Sequence, residues 1–485
     1  MVGRLLSQLH PRLRLSGPRL TLRINTALSR THSTLTASPL STAATTQITT
    51  LDNGVRVATE NQPGHFLAAG IYVDAGSRYE TQQTSGVSHI LDRFSFRSTQ
   101  SMSADMMRQR IETLGGTLNC AASRECMMYQ ASVFQRDLKP ALSLLADTAL
   151  HPALEEADLE EIRQTVPWEL REVRANAPAY YEELLHGVAF GQELLGRSLM
   201  CPPDALERMQ RDTLLAYRSA WYRPERMVVA VVGAPHDQVV DLASQYFSTY
   251  APGSLSSSAQ DPAMGKSTYQ GGMVQASDPE QELSHVFIGF RGLGVHDSDV
   301  YALATLQVLL GGGGSFSAGG PGKGMYSRLY TRVLSQHYWV EECHAFNQGY
   351  TDDGLFGVRA ACAPVHAKHL AAVVCAELAS LCEPGALREE EVSRARNQLR
   401  SSLMMNLESR SIQLEDVGRQ VQVLGKRMSA QEMCEHVEAV TPEHLTSIAK
   451  RILQGSAPSI LMGGKEVEKL GDVSEMVKLF GLGKP

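Results

Sequence analysis

The two halves of this 485-residue chain repeat one another weakly, and this repeat constrains the fold more than any other feature. The apolar, strand-like run that ends at Gly233 returns in the run that ends at Gly464, 231 positions later. Pro152, which precedes an acidic helix start, returns as Pro384 at an offset of 232. Each copy of a duplicated unit has to bury equivalent apolar faces. We therefore predict two homologous domains, each of the α+β class.

The offset is smaller near the front of each half. Ile71-Tyr72-Val73 aligns with Phe287-Ile288-Gly289 at an offset of 216, and residues 88–96 align with 303–311 at 215. The second half therefore needs about 15 extra residues between Gly311 and the region of Pro384. The glycine-rich stretch after Gly311 is the obvious place for many of them, so we predict that it is an addition to the second copy.

Sequence patterns in each half favour a mostly antiparallel sheet packed with helices over a regular βαβ alternation. Residues 127–134 and 355–362 are predicted to be inner strands, and residues 136–149 and 388–408 are predicted to be amphipathic helices. A polar stretch rich in Ser and Pro separates the halves. The predicted organisation is an amino-terminal segment at 1–43, domains at 44–252 and 267–485, and a linker at 253–266.

The amino-terminal segment has the composition of a mitochondrial import presequence. It contains six arginines and many serines, and the first acidic residue of the chain is Asp52. The chain has no apolar run long enough for a secretory signal or a membrane span. A basic arm that binds nucleic acid is the alternative, but the spacing of the leucines favours an amphipathic import helix. We predict cleavage between Arg30 and Ala44.

The remainder of the chain is acidic. Without the six arginines it has 39 Lys and Arg against 52 Asp and Glu, which argues against nucleic acid as a partner and is compatible with a basic ligand. The eight cysteines form no Cys-x-x-Cys pair. In the absence of a secretory signal they are predicted to be free thiols.

Eight of the fourteen residues from Gly311 to Gly324 are glycine. The stretch lies between two segments with helical apolar spacing, 301–310 and 325–334, and Gly311 stands where the first helix would be capped. A phosphate-binding loop requires Ser or Thr after Gly-Lys, and Lys323 is followed by Gly324. A flexible linker is the other interpretation, but linkers usually join domains and this stretch lies within one.

The motif His89-x-x-Asp92-Arg93 resembles a degraded form of the inverted zinc motif His-x-x-Glu-His of the pitrilysin-type metallopeptidases. The resemblance implies that His89 matches the first ligand, that Asp92 replaces the general base, and that Arg93 replaces the second ligand. It also makes Glu169 the match to the distal ligand. A guanidinium does not ligate zinc, and Pro167 is expected to disturb the helix that carries Glu169. We predict a packed or ion-paired remnant without a metal.

The glycine-rich segment 311–330 is similar, almost residue for residue, to the loop found in the alpha-subunit family of mitochondrial processing peptidases. Shorter matches lie at 86–89, 222–227 and 349–357, and the resemblance extends from about residue 47 to the carboxyl terminus. It implies a non-catalytic matrix subunit, without a cofactor of its own, that pairs with a zinc-bearing beta subunit and binds basic presequence peptides. The candidate substrate-binding residues are Gly311, Gly312, Gly313, Gly314, Ser315, Phe316, Gly319, Gly320, Gly322, Lys323 and Gly324.

Several further residues allow more than one interpretation. The acidic pairs Glu341-Glu342 and Asp352-Asp353 are candidate contacts for presequence arginines, or else solvated surface. His366 and His369 lack a third ligand and are predicted to lie on a solvated helix face. The alternative function is a structural core subunit of the respiratory bc1 complex, associated with complex III at the inner membrane. An independent peptidase is disfavoured by Arg93 and Asp92.

Overall fold

The computed structural model describes residues 45–248, 250, 265–315 and 325–483. The predicted presequence, most of the predicted linker and residues 316–324 of the glycine-rich stretch lie outside the described residues. Within them the strands are β1 (Gln47–Thr50), β2 (Arg56–Glu60), β3 (Phe66–Val73), β4 (Thr117–Ala122), β5 (Met127–Phe134), β6 (Met227–Val232), β7 (Gly272–Ser277), β8 (Ser284–Arg291), β9 (Gly312–Gly314), β10 (Val340–Gly349), β11 (Gly354–Cys362) and β12 (Ser459–Gly464). The helices are α1 (Val87–Phe94), α2 (Ala104–Leu114), α3 (Leu138–Leu150), α4 (Glu156–Ala175), α5 (Ala177–Phe190), α6 (Pro203–Arg208), α7 (Arg211–Trp221), α8 (His236–Phe247), α9 (Val300–Leu310), α10 (Ala367–Ser380), α11 (Glu389–Leu407), α12 (Arg410–Leu424), α13 (Ala430–Glu438), α14 (Pro442–Leu453) and α15 (Val473–Leu479).

The strands form two six-stranded sheets, one in each half, and the prediction of a repeated α+β unit is confirmed. The first sheet has the order β1-β2-β6-β3-β5-β4, and the second has the order β7-β12-β8-β11-β10-β9. Each contains one parallel pair, β2 with β6 and β7 with β12, while the other pairs are antiparallel. Without β1 and β9, the two strand orders are the same. The sheets therefore differ at their edges, and β9 is the edge strand that the second half adds.

One register in the sequence alignment is wrong by an odd number of residues. Ile71 packs into the core of the first half, whereas Phe287, its predicted equivalent, packs on the opposite face of its own sheet beside Leu185. Ile288 is the residue that faces the core of the second half. Successive side chains of a strand point to opposite faces, so an error of one residue exchanges the two faces. Ile71 therefore corresponds to Ile288.

Each half sends one helix across to cover the free face of the other sheet. Helix α5 of the first half packs on β8 and β12, and α12 of the second half packs on β3 and β6. Both contacts bring an aromatic ring against a glycine. A Cβ atom on Gly418 would lie 2.2 Å from the ring of Tyr72, and a Cβ atom on Gly463 would lie 2.6 Å from that of Tyr181. This exchange buries both faces of both sheets within one chain.

The predicted elements are confirmed in type, with small shifts at their ends. The predicted inner strands correspond to β5 and β11, and the helix predicted at 388–408 is α11. The segment predicted at 136–149 begins with a 3₁₀ turn, so α3 starts only at Leu138. The helix expected from Met325 is wrong in form, because the described residues there contain only a π-helical segment, Leu329–Leu334. All eight cysteines are free thiols, as predicted.

Candidate functional site

The remnant of the zinc motif lies on α1, whose first turn is held by a buried carboxylate. The two oxygens of Glu80 accept hydrogen bonds from the backbone N–H groups of Gly86 (2.7 Å) and Ser88 (2.8 Å). Burial raises the pKa of Glu80 to about 7. These hydrogen bonds fix the start of α1 and so fix the position of His89 one residue further on.

Both ring nitrogens of His89 are engaged by protein groups. Its Nδ1 accepts a hydrogen bond from the backbone N–H of Cys201 at 3.2 Å, and its Nε2 lies 3.1 Å from Oε2 of Glu169. Burial, and then the neighbouring Arg93, lower the pKa of His89. The ring is therefore neutral at pH 7, and because Nδ1 is an acceptor, Nε2 carries the proton and donates it to Glu169. The nitrogen that would coordinate a metal has no lone pair to offer.

Two further residues of the motif, Arg93 and Asp92, also differ from those of a metal site. The Nε atom of Arg93 donates to the same oxygen of Glu169 at 3.0 Å, so a guanidinium neutralises this carboxylate. Asp92 accepts a hydrogen bond from the backbone N–H of Ala122 on β4 at 3.4 Å. Burial raises the pKa of Asp92. The carboxylate at the position of the motif's general base is thus hydrogen-bonded to a strand.

Glu169 comes from α4, and here one expectation is wrong. Pro167 was expected to disturb the helix, yet α4 runs unbroken from Glu156 to Ala175 with Pro167 inside it. The residues present do not fit a zinc ion, because two would-be ligands bond each other and the third position holds a cation. In the part of the chain that the structure describes, no group of three or more His, Cys, Asp or Glu residues is arranged to hold a metal.

The described beginning of the glycine-rich stretch is a strand. Gly311 ends α9 with φ +59°, as its predicted capping position requires. Next, β9 pairs antiparallel with β10, with Gly313 opposite Cys343. Gly312 has φ +114°, and a Cβ atom there would lie 2.0 Å from the carbonyl oxygen of Cys343. Only glycine fits this position, both by backbone conformation and by space.

Ser327 and Arg328, which follow the undescribed segment, are held by hydrogen bonds to β9 and to buried carboxylates. The hydroxyl oxygen of Ser327 accepts a hydrogen bond from the N–H of Gly312 at 3.1 Å. Arg328, only 1% exposed, donates to Glu377 at 3.3 Å and to Glu391 at 3.2 Å. The two ends of the stretch thus meet where Gly312 is hydrogen-bonded to Ser327, and this junction is called the neck. Sequence reasoning did not single out Ser327 or Arg328, because their partners lie far along the chain.

The predicted acidic pair on β10 flanks this neck. Glu341 is an exposed residue at a β-bulge, and its carboxylate accepts from the hydroxyl of Ser315 at 3.0 Å while its carbonyl accepts from the N–H of Ser315 at 2.7 Å. Glu342 lies across from Gly314, with its carboxylate 3.7 Å from Nδ1 of His285. The structure therefore brings this acidic pair together with the described part of the glycine-rich stretch.

The second predicted acidic pair has internal partners. Arg78 donates two hydrogen bonds to Asp352, at 2.7 and 2.6 Å, and a third to Glu125. Asp353 is 1% exposed and accepts from Arg291 at 3.0 Å. Hydrogen bonds from Arg78 lower the pKa of Asp352 against the effect of burial, which is the larger single influence. Asp352 therefore joins the two halves of the chain, Asp353 is paired within the second half, and neither carboxylate is solvated surface.

His366 and His369 lie beside one tryptophan on the second half. Their rings are 5.5 and 6.4 Å from that of Trp339, and His337 contacts the same ring at 5.7 Å. His369 is exposed, as predicted, and His366 is partly covered.

Among the described residues no helix combines the length and apolar character needed to cross a membrane.

Comparisons with known proteins agree with the duplicated fold. Residues 56–203 match the family model described as insulinase (peptidase family M16), and residues 208–399 match the model described as peptidase M16 inactive domain. The mitochondrial-processing peptidase subunit alpha of Neurospora crassa is 43% identical, with 84% of this chain and 83% of that protein covered. The probable counterpart in Schizosaccharomyces pombe is 43% identical, with coverage of 89% and 88%. The Bos taurus subunit alpha is 36% identical, with coverage of 89% and 83%.

Similarity of shape extends to a solved structure, complex III2 from Candida albicans with Inz-5 bound. One of its chains matches with a TM-score of 0.76 at 20% identity, covering 90% of this chain and 99% of that one. At this level of identity the match demonstrates a shared fold and carries no statement about function.

Proposed function

We infer the function from family membership: the chain belongs to peptidase family M16, and within it to the family of mitochondrial-processing peptidase alpha subunits. We propose that it is the substrate-recognition and binding subunit of a heterodimeric mitochondrial processing peptidase, which removes N-terminal presequences from imported precursor proteins. In this proposal the hydrolytic zinc belongs to a beta partner of the same fold, and the present chain contributes binding surface.

The observation that carries this proposal is the state of the metal-site remnant. The Nε2 proton of His89 is directed at Glu169, and Arg93 neutralises the same carboxylate. A metalloprotease needs a free imidazole nitrogen and a base positioned beside a metal-bound water. Asp92 is instead bonded to the backbone of β4. The chain is accordingly suited to a non-catalytic role.

Reconstitution provides the test. The purified chain alone should not cleave a fluorescent presequence peptide, and addition of a zinc-bearing beta subunit should restore cleavage. Zinc analysis of the isolated chain should give well under one equivalent. Cleavage by the isolated chain would overturn the proposal, as would a partner that cleaves equally well without it.

The glycine-rich stretch is proposed to contact the substrate. Its described ends are fixed by β9 and by Arg328, so a deletion that tests this role has to spare Gly311–Gly314. Removal of residues 316–324, replaced by a short Gly-Ser bridge, should leave assembly intact and weaken presequence binding. Because ordering a chain segment costs about 1–2 kcal/mol per residue, the stretch is suited to transient engagement. Unchanged processing kinetics would contradict this role.

Family membership makes this a mitochondrial protein, and we place it in the matrix, where imported precursors emerge. The alternative, a structural core subunit of the bc1 complex, has the weaker support, since the similarity to a complex III2 chain extends only to fold. Pull-down from a matrix extract and from solubilised inner membranes separates the two. Recovery with cytochromes instead of a beta subunit would reverse the ranking.

A further inference from the structure

The start of the described chain reaches the junction between the two halves. Residues Thr45 and Thr46 precede β1, which pairs antiparallel with β2. The ring of His236 lies beside this pairing and forms hydrogen bonds of 2.8 Å with Thr49 and with Thr59. Thr45 is exposed and Thr46 is partly buried. The chain therefore enters the junction from solvent, on a strand whose position is fixed.

Thr46 contacts a buried charged cluster to which both halves contribute. Its hydroxyl donates to Glu60, the last residue of β2, at 2.5 Å. Glu60 also pairs with the guanidinium of Arg427, and Nε of Arg427 donates to Asp416 on α12 at 3.1 Å. Glu60 is 1% exposed and Asp416 is 4% exposed. We call Glu60, Gln413, Asp416 and Arg427 the junction cluster.

The junction cluster has two carboxylates and one guanidinium. Among the described residues, Arg427 is the only cation that pairs with either carboxylate. An uncompensated charge in a protein interior is costly, and uptake of a proton or of a cation relieves it. Burial raises the pKa of Asp416 to about 6. At pH 7 and above this proton is released, so the remaining negative charge requires a cation.

Gln413 adds an acceptor that has no donor. Its Nε2 donates to Glu60 at 2.5 Å, so Oε1 of the same amide lies beside the two carboxylates. The residue is 4% exposed, and within the described part of the chain Oε1 has no hydrogen-bond partner. Buried polar atoms are normally paired. An unpaired acceptor beside excess negative charge indicates a ligand that has both positive charge and N–H donors.

Removal of the predicted presequence creates such a ligand on the chain itself. Hydrolysis of the peptide bond leaves a carboxylate on the released presequence and an α-ammonium group on the remaining chain. An ammonium group has three donors and no acceptor. The predicted boundary makes Ala44, which lies outside the described residues, the first residue of the mature chain. Since consecutive Cα atoms are about 3.8 Å apart, an amino terminus two residues ahead of Thr46 can reach the cluster.

We propose that the junction cluster binds the α-ammonium group of the mature chain, which supplies positive charge to Glu60 and Asp416 and a donor to Gln413. This inference rests on the predicted presequence and does not depend on the proposed function, because no substrate takes part. The ammonium group would bond the first residue of the mature chain to side chains of the second half. The mature chain should therefore hold its halves together more firmly than the precursor does.

The pKa of the α-amino group measures this binding. A chain that begins at Ala44 is released from a cleavable tag, and acylation of its α-amine is followed by mass spectrometry across the pH range in which the amine titrates. Only the unprotonated amine reacts. The ordinary pKa of an α-amino group is about 7.7–8.0, and carboxylate partners raise it. We expect a rise of about one pH unit, which corresponds to roughly tenfold slower acylation near pH 7.

Two variants and a displaced terminus complete the experiment. Asp416→Asn removes the excess charge and keeps the pair between Arg427 and Glu60, so the α-amine should return to its ordinary pKa. Glu415→Gln is the matched control, because within the described residues Glu415 has no hydrogen bond or ion pair with the cluster, and the raised pKa should persist. A flexible Gly-Ser extension ahead of Ala44 moves the ammonium group away from an unaltered cluster. It should also restore the ordinary pKa, and it decides the matter if Asp416→Asn fails to fold.

The outcomes that would overturn the inference are distinct from those that concern presequence recognition. Equal α-amine pKa values in the wild type and Asp416→Asn would overturn it, as would an equal rise in the extended chain. Stabilisation by potassium or sodium ions to the same extent in both chains would assign the excess charge to a solvent cation, which also overturns it. The chain isolated from mitochondria should begin within a few residues of Thr46, and a mature terminus close to Arg30 would contradict the inference. None of these results alters the test of the proposed function.

Discussion

Gly312 allows the strand at the base of the glycine-rich stretch to be tested by a single methyl group. Gly312→Ala places a Cβ atom 2.0 Å from the carbonyl oxygen of Cys343, in a residue with φ +114°. Holding a non-glycine residue in such a backbone conformation costs about 1–3 kcal/mol, and the contact with a carbonyl oxygen adds to that. Gly313→Ala is the matched control, because its Cβ would have no neighbour closer than 3.7 Å.

The structural effect of Gly312→Ala should be confined to β9 and β10. Strand β9 lies at the edge of its sheet, and the core of the second half is built from other elements. Separation of β9 from β10 therefore relieves the strain of Gly312→Ala at the lowest cost in free energy, and the free energy of global unfolding should change little. A cost of about 1–3 kcal/mol corresponds to a roughly 5- to 150-fold larger population of the open form.

Hydrogen exchange measured by mass spectrometry reports this opening directly. Peptides that contain Cys343 and Ala345 should lose protection in Gly312→Ala and keep it in Gly313→Ala, while both variants retain the wild-type melting temperature. In the assembled peptidase, kcat/KM for presequence cleavage should fall for Gly312→Ala alone. Equal exchange in the two variants would refute the reasoning that Gly312 is required for backbone geometry.

Three further predictions concern the rest of the fold. Arg93→Ala should lower the free energy of unfolding by no more than about 1 kcal/mol in urea titrations, because the Arg93–Glu169 pair is substantially solvent-exposed, and a larger loss would assign the pair a structural role. Gly418→Ala should cost about 1–3 kcal/mol by overpacking against Tyr72, and Tyr72→Leu in the same chain should recover part of it in thermal unfolding. The pKa of Glu80 is raised from 4.5 in the unfolded chain to about 7 in the folded one, so between these pH values the folded state holds a proton that the unfolded state has released. The free energy of unfolding of the wild type should therefore fall by up to about 3 kcal/mol as the pH rises from 4.5 to 7, relative to that of Glu80→Gln. Parallel denaturation curves of wild type and Glu80→Gln across that pH range would contradict this assignment.

Strands inside the sheets were predictable because their own residues dictate them. Met227–Val232 is a continuous apolar run, and every residue in it is buried. Such a run is typical of a central strand covered on both faces. The exchange of α5 and α12 between the halves was not predictable, since it depends on which free sheet face each helix reaches.

Strand β9 and the anchors of the glycine-rich stretch show the limit of local patterns. Three consecutive glycines have low strand propensity, and their pairing is imposed by β10 and by the hydroxyl of Ser327. Arg328 looks like an ordinary basic residue in sequence, yet it is buried against Glu377 and Glu391, 49 and 63 positions away. Asp352 likewise looked like solvated charge until Arg78 of the other half was placed beside it.

The two unusual sites of the chain have opposite hydrogen-bonding states, and this contrast separates structural from functional residues. At the zinc-motif remnant, His89 and Arg93 both bond one oxygen of Glu169, so the nitrogen and the oxygen that would ligate a metal are already engaged. At the junction cluster, Glu60 and Asp416 share one guanidinium, and Oε1 of Gln413 stays unpaired within the described residues. Unpaired polar groups on a fixed support are already arranged for binding, whereas mutually paired groups would first have to lose their own bonds. A ligand is therefore expected at the junction of the halves, and substitutions at the remnant in the first half should affect stability more than processing.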